Sequence, residues 1–529
     1  MSGNPPPVGG PPGPNPRQLL RRTWPVFFRR FGRLLPVQEA ALAPVAAGRN
    51  TVVCAPAASG KTEAVFAPLL ERMLHFHLFE ENRVSVLYVA PTRALVNDMA
   101  ARLKDAATAL GLSAVRRTGD HRELVTDQPA PILLTTPESL DSLLCRHPGI
   151  FAARMAVILD ELHVLDGHHR GDQLRVLMRR LEADRPDGIR YAALSATLAD
   201  PVAIAGRYFP VEALVEGPPP RPFRLEMVET VEEIPAAAAR LEASKLLVFC
   251  NTRARTEEVA NILRRLVAPV PVAIHHGSLD RRERLDIEAA VREWRRGICV
   301  ATSTLEVGID IGDVDAVALA DLPSLPSAFQ QRITRGSRRY DHVRVVLVTP
   351  TEEDRDAAHI LLDMARTGTV EERDAPPDPS VIVQQIFSLG YAHRDGITRE
   401  MISGLLEPVF GEVDTRRIVE HLVQQGHLSL QHNRLFPSEE ILDLGDKGLI
   451  HSNIPDTRER ELVDAATGRV LGRGALGVAA GSVVLFGGRM WSVASVEGGR
   501  AVLSAASGEG GAAKFRARSD AGAFARYLP

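Results

Sequence analysis

The sequence predicts an α/β protein in which two lobes, each built on a doubly wound parallel sheet, are followed by a winged helix and a small β domain. Two observations lead to this prediction. Short apolar runs alternate with longer helical patterns twice along the 529 residues, and such alternation is typical of parallel sheets. After residue 375 the pattern changes, first to helices and then to glycine-punctuated strands.

The first lobe is predicted over residues 17–215, after a Pro/Gly-rich tail at 1–16 that we expect to be disordered. Its strands are predicted at Thr51–Cys54, Val84–Val89, Ile132–Thr135, Ala156–Leu159 and Tyr191–Leu194. The stretch EGPPPRPF, Glu216–Phe223, is predicted to be a linker. The second lobe, 216–368, has predicted strands at Lys245–Phe249, Val272–His275, Ile298–Ala301, Ala316–Ala320 and Val343–Val348.

The remaining chain predicts two accessory units. Residues 369–455 contain helical patterns at Ser380–Phe387, Thr398–Glu407 and Thr415–Gln425, and then the hairpin-like HLSLQHNRLFP. Three helices and a hairpin suggest a winged helix. Residues 456–529 are strand-like and rich in glycine, and we expect a small antiparallel, barrel-like β domain there.

Composition limits the classes of function. A net charge of −3 gives no bulk attraction to nucleic acid, so any such binding must use local patches. The four cysteines lack the close spacing of a zinc or iron–sulfur site. No signal peptide or apolar span is visible, and we therefore expect a cytoplasmic protein with no membrane partner. Association with the nucleoid would be compatible with this expectation.

The stretch APAASGKT, Ala55 to Thr62, follows a predicted strand and precedes a helical pattern, as a phosphate-binding loop does. Backbone amides at Ser59 and Gly60 would hold the phosphates of ATP. Lys61 would contact the β- and γ-phosphates, and the hydroxyl of Thr62 would bind Mg²⁺.

A second motif, ILDELH, places two carboxylates at the end of an apolar strand, where ligands bind in open α/β sheets. We predict that Asp160 binds Mg²⁺ and that Glu161 polarises the attacking water. An isolated Asp-Glu pair is usually a solvated turn, but a phosphate loop about a hundred residues upstream favours the catalytic interpretation.

Further motifs resemble those of superfamily 2 DExH-box helicases and follow one another along the chain in the order found in that family. This resemblance implies two RecA-like lobes. The resemblance assigns Gln38, Gly308 and Asp310 to the nucleotide, with Ser59, Gly60, Lys61 and Thr62. It assigns contacts with the nucleic-acid backbone to Pro91, Thr92, Arg93, Thr118, Gly119, Thr136, Pro137, Glu138, His276, Gly277, Thr302 and Ser303. Coupling between hydrolysis and the nucleic acid is assigned to His163, Ser195, Ala196, Thr197 and Gln331.

The same resemblance places Arg335 and Arg338 at the arginine-finger positions, where they stabilise charge on the γ-phosphate. The sequence departs from the family pattern at two motifs. Ala57 and Ala58 stand where Thr-Gly is usual in the phosphate loop. In the arginine motif QRITRGSR, Thr334 replaces glycine and Gly336-Ser337 replaces Ala-Gly, while both arginines are retained.

Within that superfamily the chain is most similar to the large helicase-related (Lhr) branch, through WPVFFRRFGRLLPVQ, the box Asp160–His163 and HHGSLDRRERLDIEAAVREWRRGICVATSTLEVGIDIGDVDAV. This resemblance implies a compact core form of a 3′-to-5′ translocase on single-stranded DNA. Such an enzyme unwinds DNA or RNA–DNA duplexes in genome maintenance.

Several alternatives stay open. The chain could be an RNA helicase, an ATP-gated clamp or remodeller that does not separate strands, or a weakly catalytic binding subunit. The winged helix, with Arg416 and Arg417, could bind phosphates or brace the lobes. Trp491 could stack on a base, although a tryptophan within a strand is more often part of the core.

Overall fold

The structure is a computed structural model that describes residues 15–529, apart from 57–58, 122, 186–187, 196–197, 199, 307–310, 338, 369–375, 455–459, 475–480, 487–488, 498–499, 507–510 and 513–521. The predicted tail at 1–16 therefore lies almost wholly outside the described residues.

The first lobe contains a seven-stranded sheet in which every pairing is parallel. Its order is β3-β4-β2-β5-β6-β1-β7, with strands β1 Thr51–Cys54, β2 Val84–Val89, β3 Ala114–Arg117, β4 Ile132–Thr135, β5 Phe151–Leu159, β6 Ile189–Ser195 and β7 Ala213–Glu216. The inner strands are aliphatic and buried along their length, because helices cover both faces of a parallel sheet.

Nine α-helices belong to this lobe in the described part of the chain. They are α1 Pro16–Leu19, α2 Trp24–Phe27, α3 Pro36–Ala46, α4 Lys61–His75, α5 Arg93–Ala109, α6 Pro137–Arg146, α7 Leu162–Leu165, α8 His169–Ala183 and α9 Pro201–Gly206. Two hydrophobic clusters, one on each face of the sheet, join these helices to the strands. The loops at the carboxyl ends of β1, β2, β4, β5 and β6 all carry predicted site residues.

The second lobe repeats this design with a six-stranded parallel sheet of order β10-β11-β9-β12-β13-β8. Its strands are β8 Phe223–Val228, β9 Lys245–Phe249, β10 Val272–His275, β11 Gly297–Ala301, β12 Ala316–Leu319 and β13 Val343–Val348. Its helices are α10 Ile234–Arg240, α11 Arg253–Val267, α12 Arg281–Glu293, α13 Pro326–Ile333 and α14 Glu352–Thr367. The α/β architecture of two parallel-sheet lobes that the sequence predicts is confirmed, and the predicted linker joins β7 to β8.

A helical unit follows, with α15 Ser380–Ala392, α16 Arg399–Phe410, α17 Glu412–Gln424, β14 Leu428–Gln431, β15 Arg434–Pro437 and α18 Glu439–Asp446. The strands β14 and β15 form an antiparallel hairpin. His432 and Asn433 at its tip have φ values of +47° and +62°, as a tight two-residue turn requires. This is the order of elements from which the sequence suggests a winged helix. Short 3-10 helices also occur at Pro148–Ile150, Val231–Glu233, Ser303–Leu305, Leu449–His451 and Ala523–Tyr527.

The last sheet has the order β17-β16-β20-β19-β18-β21, with strands β16 Arg460–Asp464, β17 Val470–Gly474, β18 Val483–Phe486, β19 Arg489–Glu497, β20 Arg500–Ala505 and β21 Gly511–Ala512. It differs from the predicted antiparallel domain because β16 pairs with β20 in parallel, as β18 does with β21. Trp491 is 6% exposed and its indole N–H donates to the carbonyl of Phe486 at 3.0 Å, so it belongs to the core.

The helical unit is attached to the first lobe through a buried polar cluster centred on Asp141 of α6, which has no exposed surface. Its Oδ2 accepts hydrogen bonds from the side-chain amides of Gln173, Gln384 and Gln385 at 2.9, 2.9 and 2.7 Å. Its Oδ1 accepts from Arg180 at 3.0 Å and from Ser388 at 2.5 Å. We call these six residues the Asp141 cluster.

The β domain is attached to the second lobe instead. Leu279 forms an antiparallel bridge with Gly472, and the amide of Asp280 donates to the carbonyl of Leu471 at 2.8 Å. Residues 522–529, predicted as part of the β domain, return to the helical unit. There Phe524 and Tyr527 join its hydrophobic core, and the amide of Phe524 donates to Asn453 at 3.0 Å.

Candidate nucleotide and nucleic-acid site

The phosphate loop leads from β1 into α4, and the side-chain amide of Gln38 donates to the carbonyl of Gly60 at 3.3 Å. Lys61 is 8% exposed and donates to the carbonyl of Ala55 at 2.7 Å, across the loop. Gly60 has φ +86°, and a Cβ at this position would lie 2.4 Å from Nε2 of Gln38. Only glycine fits there, since a side chain would meet both strain and Gln38. Ala57 and Ala58, where the sequence departs from the family, lie outside the described residues.

Two further loop side chains are placed for ligands. The hydroxyl of Ser59 is buried and has no hydrogen-bond partner among the described residues. Buried polar groups are normally satisfied, so an orphan hydroxyl in this loop suits a ligand with acceptor oxygens. Thr62 is the second residue of α4 and is half-buried, at a helix N-terminus that favours anions.

The two carboxylates follow β5 directly, and both oxygens of Asp160 are already held. Oδ1 accepts the amide N–H of Glu161 at 2.9 Å, and Oδ2 accepts the hydroxyl of Tyr88. Glu161 has φ +46°, a left-handed conformation that is uncommon outside glycine and is often found at functional sites. The turn separates the two carboxylates, so that they face different partners.

The surroundings of the two carboxylates shift their pKa values in opposite directions. Burial, and then the charge of Glu161, raises the pKa of Asp160 to about 7. Burial alone would also raise the pKa of Glu161, but the positive charges of Lys61, His163 and Arg335 lower it. Glu161 is therefore the more readily ionised member of the pair, as suits a group that polarises water.

Oxygen ligands from one carboxylate and one hydroxyl fit Mg²⁺, which usually binds few protein groups and takes its other ligands from phosphates and water. Asp160 and Thr62 are the predicted pair. Within the described residues there is no group of three or more His, Cys, Asp or Glu side chains able to hold a metal ion. The donor set thus fits a metal ion that arrives with a nucleotide.

His163 connects the carboxylates to both lobes. Its Nδ1 lies 2.9 Å from Oγ of Ser195 and 3.5 Å from a carboxylate oxygen of Glu161. Its Nε2 lies 2.5 Å from Nε2 of Gln331, which belongs to α13 of the second lobe. Three of the predicted coupling residues therefore meet at one point across the cleft. Ala196 and Thr197 lie outside the described residues.

Arg335 follows α13 and is 9% exposed. Its Nε donates to the carbonyl of Glu306 at 2.7 Å, and its charge lowers the pKa of Glu161 in the opposite lobe. Arg332, one helical turn earlier, is turned into the second lobe, where it pairs with Glu306 at 2.6 Å and Asn251 at 2.8 Å. The predicted residues Gly308, Asp310 and Arg338 lie outside the described part of the chain.

In the first lobe, the predicted nucleic-acid contacts lie on the loops after β2 and β3. Thr92 caps α5 by accepting the amide of Leu95 at 3.3 Å, next to the buried Pro91. Arg93 is 58% exposed and pairs with Asp120 at 2.7 Å, which brings it against Gly119. Thr118 is buried. Arg93 is thus the exposed cation of this group.

The motif after β4 begins α6, with Thr136 at its N-cap and Pro137 as its first residue. Arg170 donates to both carboxylate oxygens of Glu138, at 2.5 and 3.1 Å. Burial alone would raise the pKa of Glu138, but Arg170 lowers it. The pair joins the first turn of α6 to the first turn of α8.

In the second lobe, Gly277 and Ser303 are exposed, whereas Thr302 is 7% exposed. His276 has no exposed surface: its Nε2 lies 3.0 Å from Glu257, and the ring of Phe486 from the β domain lies 5.7 Å away. The predicted nucleic-acid contact at His276 could therefore involve only backbone atoms in this conformation.

Tyr88, Arg170 and Glu257 are not among the residues predicted from the sequence, although each forms a hydrogen bond with a predicted site residue. The sequence does offer an indication for Tyr88, since it is the one side chain with a hydroxyl group in the otherwise aliphatic run VLYV. It offers none for Arg170 and Glu257, because their partners lie 32 and 19 residues away along the chain.

Comparison with known families agrees with this arrangement. The sequence model of the DEAD/DEAH box helicase family matches residues 35–204, and that of the helicase conserved C-terminal domain matches residues 227–339. Each model matches within one of the two lobes.

Curated relatives have Lhr names. The chain is 28% identical to "ATP-dependent helicase Lhr-Core" of Methanocaldococcus jannaschii over 66% of this chain and 46% of the relative. It is 28% identical to the protein of that name in Saccharolobus solfataricus, over 70% and 47%. For "Lhr helicase/uracil glycosylase" of Escherichia coli the identity is 27%, over 70% and 30%. The alignments thus span about half the length of the first two relatives and less of the third.

Solved structures share the fold. The helicase MrfA, crystallised with DNA and AMPPNP, superposes with a TM-score of 0.73 over 92% of this chain and 72% of its own, at 20% identity. The helicase Lhr of Mycobacterium smegmatis, bound to single-stranded DNA and AMP-PNP, gives 0.71 over 84% and 63%, at 23% identity. Among the helices described for this chain, none is both long and apolar enough to cross a membrane.

Proposed function

We propose that this chain, which belongs to the DEAD/DEAH box helicases and is similar to the Lhr-Core proteins, is an ATP-driven motor that moves along single-stranded nucleic acid and separates duplexes. The observation that supports this most directly is the contact between the lobes at His163. This side chain lies 3.5 Å from a carboxylate oxygen of Glu161 in the first lobe and 2.5 Å from Gln331 of the second lobe.

The residues divide the chemistry among them. Lys61 and the loop amides would hold the phosphates, and Asp160 and Thr62 would hold Mg²⁺, which neutralises phosphate charge when bound. Glu161 would orient the attacking water and accept its proton. Arg335 would stabilise the negative charge that develops on the transferred phosphoryl group. Because Arg335 and Gln331 belong to the second lobe, hydrolysis would release a contact that closes the cleft.

The finer proposal is movement in the 3′-to-5′ direction on single-stranded DNA, with unwinding of DNA or RNA–DNA duplexes in genome maintenance. It rests on similarity to the Lhr-Core proteins and on the DNA held by the MrfA and Lhr structures. The loop ends after β2, β3 and β4 would contact the sugar–phosphate backbone. Affinity should then fall as salt rises, because phosphate contacts release counterions.

The test combines phosphate release with strand displacement. ATP turnover is measured with no nucleic acid, with single-stranded DNA and with single-stranded RNA, and Lys61→Ala serves as the inactive control. DNA, RNA and hybrid duplexes that carry either a 3′ or a 5′ single-stranded tail are then supplied with ATP. We expect stimulated turnover and displacement from 3′ tails only.

The outcomes separate the rival functions. Stimulated turnover without displacement on any duplex would identify an ATP-gated clamp or remodeller. Displacement confined to RNA duplexes would identify an RNA helicase. Turnover equal to that of Lys61→Ala would contradict the proposed activity itself.

A further inference from the structure

Tyr88 contacts a residue of the candidate nucleotide site but has no role in the proposed mechanism. It is the last residue but one of β2, fully buried, and paired in register with Ile158 of β5. Its neighbours Leu87 and Val89 are aliphatic and equally buried. A phenolic hydroxyl in such a strand needs a hydrogen-bond partner, because an unpaired one costs free energy.

That partner is Asp160, whose Oδ2 accepts the hydroxyl of Tyr88. The ring is held by Phe66, whose centroid lies 5.9 Å away on α4, the helix that begins with Lys61 and Thr62. Tyr88 is therefore fixed between the sheet and the helix that presents the phosphate loop. Its hydroxyl has little freedom to leave Asp160.

The effect on Asp160 follows from its other contact. With Oδ1 on the amide of Glu161 and Oδ2 on Tyr88, both oxygens have a donor, and rotation of the carboxylate would break both hydrogen bonds. Asp160 is the one carboxylate predicted to hold the metal ion, and its orientation therefore matters for metal binding. Partners of metal ligands commonly change metal affinity 10- to 100-fold.

We propose that Tyr88 is a positioning residue for the Mg²⁺ that accompanies the nucleotide. Its hydrogen bond would hold the carboxylate of Asp160 in an orientation suited to binding the metal ion. This inference rests on the proposed function, since it assumes that the site binds a Mg²⁺–nucleotide complex.

The test is Tyr88→Phe, which removes one oxygen and leaves the ring in place. Binding of a fluorescent, non-hydrolysable ATP analogue is titrated with Mg²⁺, and also measured in excess EDTA. We expect the Mg²⁺ concentration at half-maximal binding to rise about 10-fold or more, while binding in EDTA stays as in the wild type. The analogue avoids any dependence on turnover.

The matched control is Tyr191→Phe. Tyr191 lies in the same sheet, is 3% exposed, and donates to a carboxylate, Glu182, at 2.9 Å, far from the phosphate loop along its strand. Tyr191→Phe removes the same kind of buried hydrogen bond as Tyr88→Phe. Any general loss of stability should therefore appear equally in the melting temperatures of both variants. Only Tyr88→Phe should shift the Mg²⁺ dependence.

Three results would overturn the proposal for Tyr88: an unchanged Mg²⁺ midpoint, a fall in melting temperature alone, or equal midpoint shifts in both variants. Adding Tyr88→Phe to Asp160→Ala gives a further check, because the tyrosine should have no effect once its carboxylate is gone. A wild-type protein that showed no Mg²⁺-dependent binding would contradict the proposed function instead.

Discussion

Asp141→Asn is the substitution for which the structure allows the most detailed prediction. The change keeps the shape of the side chain but removes its charge and replaces one acceptor oxygen by a donor. In the Asp141 cluster, either orientation of the new amide places an NH₂ group against donors: three amides on one side, or Arg180 and Ser388 on the other.

The magnitude follows from burial. Arg180 has a side chain that is 7% exposed, and Asp141 is fully buried, so the substitution leaves a buried cation without a charged partner. Neutral oxygens of Gln385, at 3.2 Å, and Ser388, at 3.1 Å, remain as acceptors. Removing one partner of a buried pair costs about 3–5 kcal/mol. At about 1.4 kcal/mol per factor of ten, the local opening equilibrium should rise by about two to three and a half orders of magnitude.

The assay is hydrogen exchange of the amides in α15, because Gln384, Gln385 and Ser388 lie on that helix and a whole-chain midpoint is poorly defined for several domains. The control is Asp363→Asn, which breaks an ion pair with Arg366 in which the aspartate is 73% exposed; such pairs contribute about 0–1 kcal/mol. Exchange in α15 that is equal in the two variants would refute the argument.

The dependence on pH has a definite sign. Burial alone would raise the pKa of Asp141, but His451, 3.7 Å away, and the donors Arg180 and Ser388 lower it well below its usual value. A lowered folded pKa means that the stabilisation is complete above the unfolded value of about 3.9 and is lost as the pH falls through the folded pKa. The difference between Asp141→Asn and the wild type should therefore be constant near neutrality and shrink in acid.

Three further predictions concern the motor. Lys61→Ala should abolish ATP binding, whereas Glu161→Gln should retain binding and stop hydrolysis; an equal loss of nucleotide affinity in both, measured by a fluorescent analogue, would contradict that division. Arg335→Ala should lower turnover by about 10³–10⁵, or roughly 4–7 kcal/mol, with little change in nucleotide affinity, and Arg335→Lys should not restore it fully because a point charge lacks the planar fork. Unchanged kcat with a lowered melting temperature would instead make Arg335 a structural residue. A fragment of residues 1–369 should hydrolyse ATP without unwinding duplexes. Its melting temperature should also fall, because removal of α15 exposes Asp141. Full unwinding by the fragment would show that the accessory units are not needed.

The sheets show which strands a sequence can predict. The runs at Thr51–Cys54 and Val84–Val89 have the predicted bounds because inner strands of a parallel sheet are buried along their whole length and are therefore mostly apolar. The three strands that were not predicted in the lobes, β3, β7 and β8, all lie at sheet edges. Edge strands are partly exposed, so polar residues interrupt their apolar pattern, as in AVRR and FRLEMV.

The site shows a similar division. Candidate residues such as Lys61, Asp160 and Glu161 could be predicted because the proposed chemistry requires these residue types at strand ends. Their partners could not be, since any donor of suitable length can satisfy a carboxylate once the fold brings it near. The burial of His276 is of this kind: it depends on Phe486, which lies more than 200 residues away in another domain.

The alternating attachment of the accessory units constrains how the lobes move. The polypeptide passes from the first lobe to the second at the linker, back to the first lobe at α15, over to the second at the β domain, and back again at 522–529. Each accessory unit is held by a different lobe, the helical unit by the first through the Asp141 cluster and the β domain by the second through Leu279 and Asp280. When the cleft opens, the hairpin of β14 and β15 should therefore move with the first lobe and the β domain with the second.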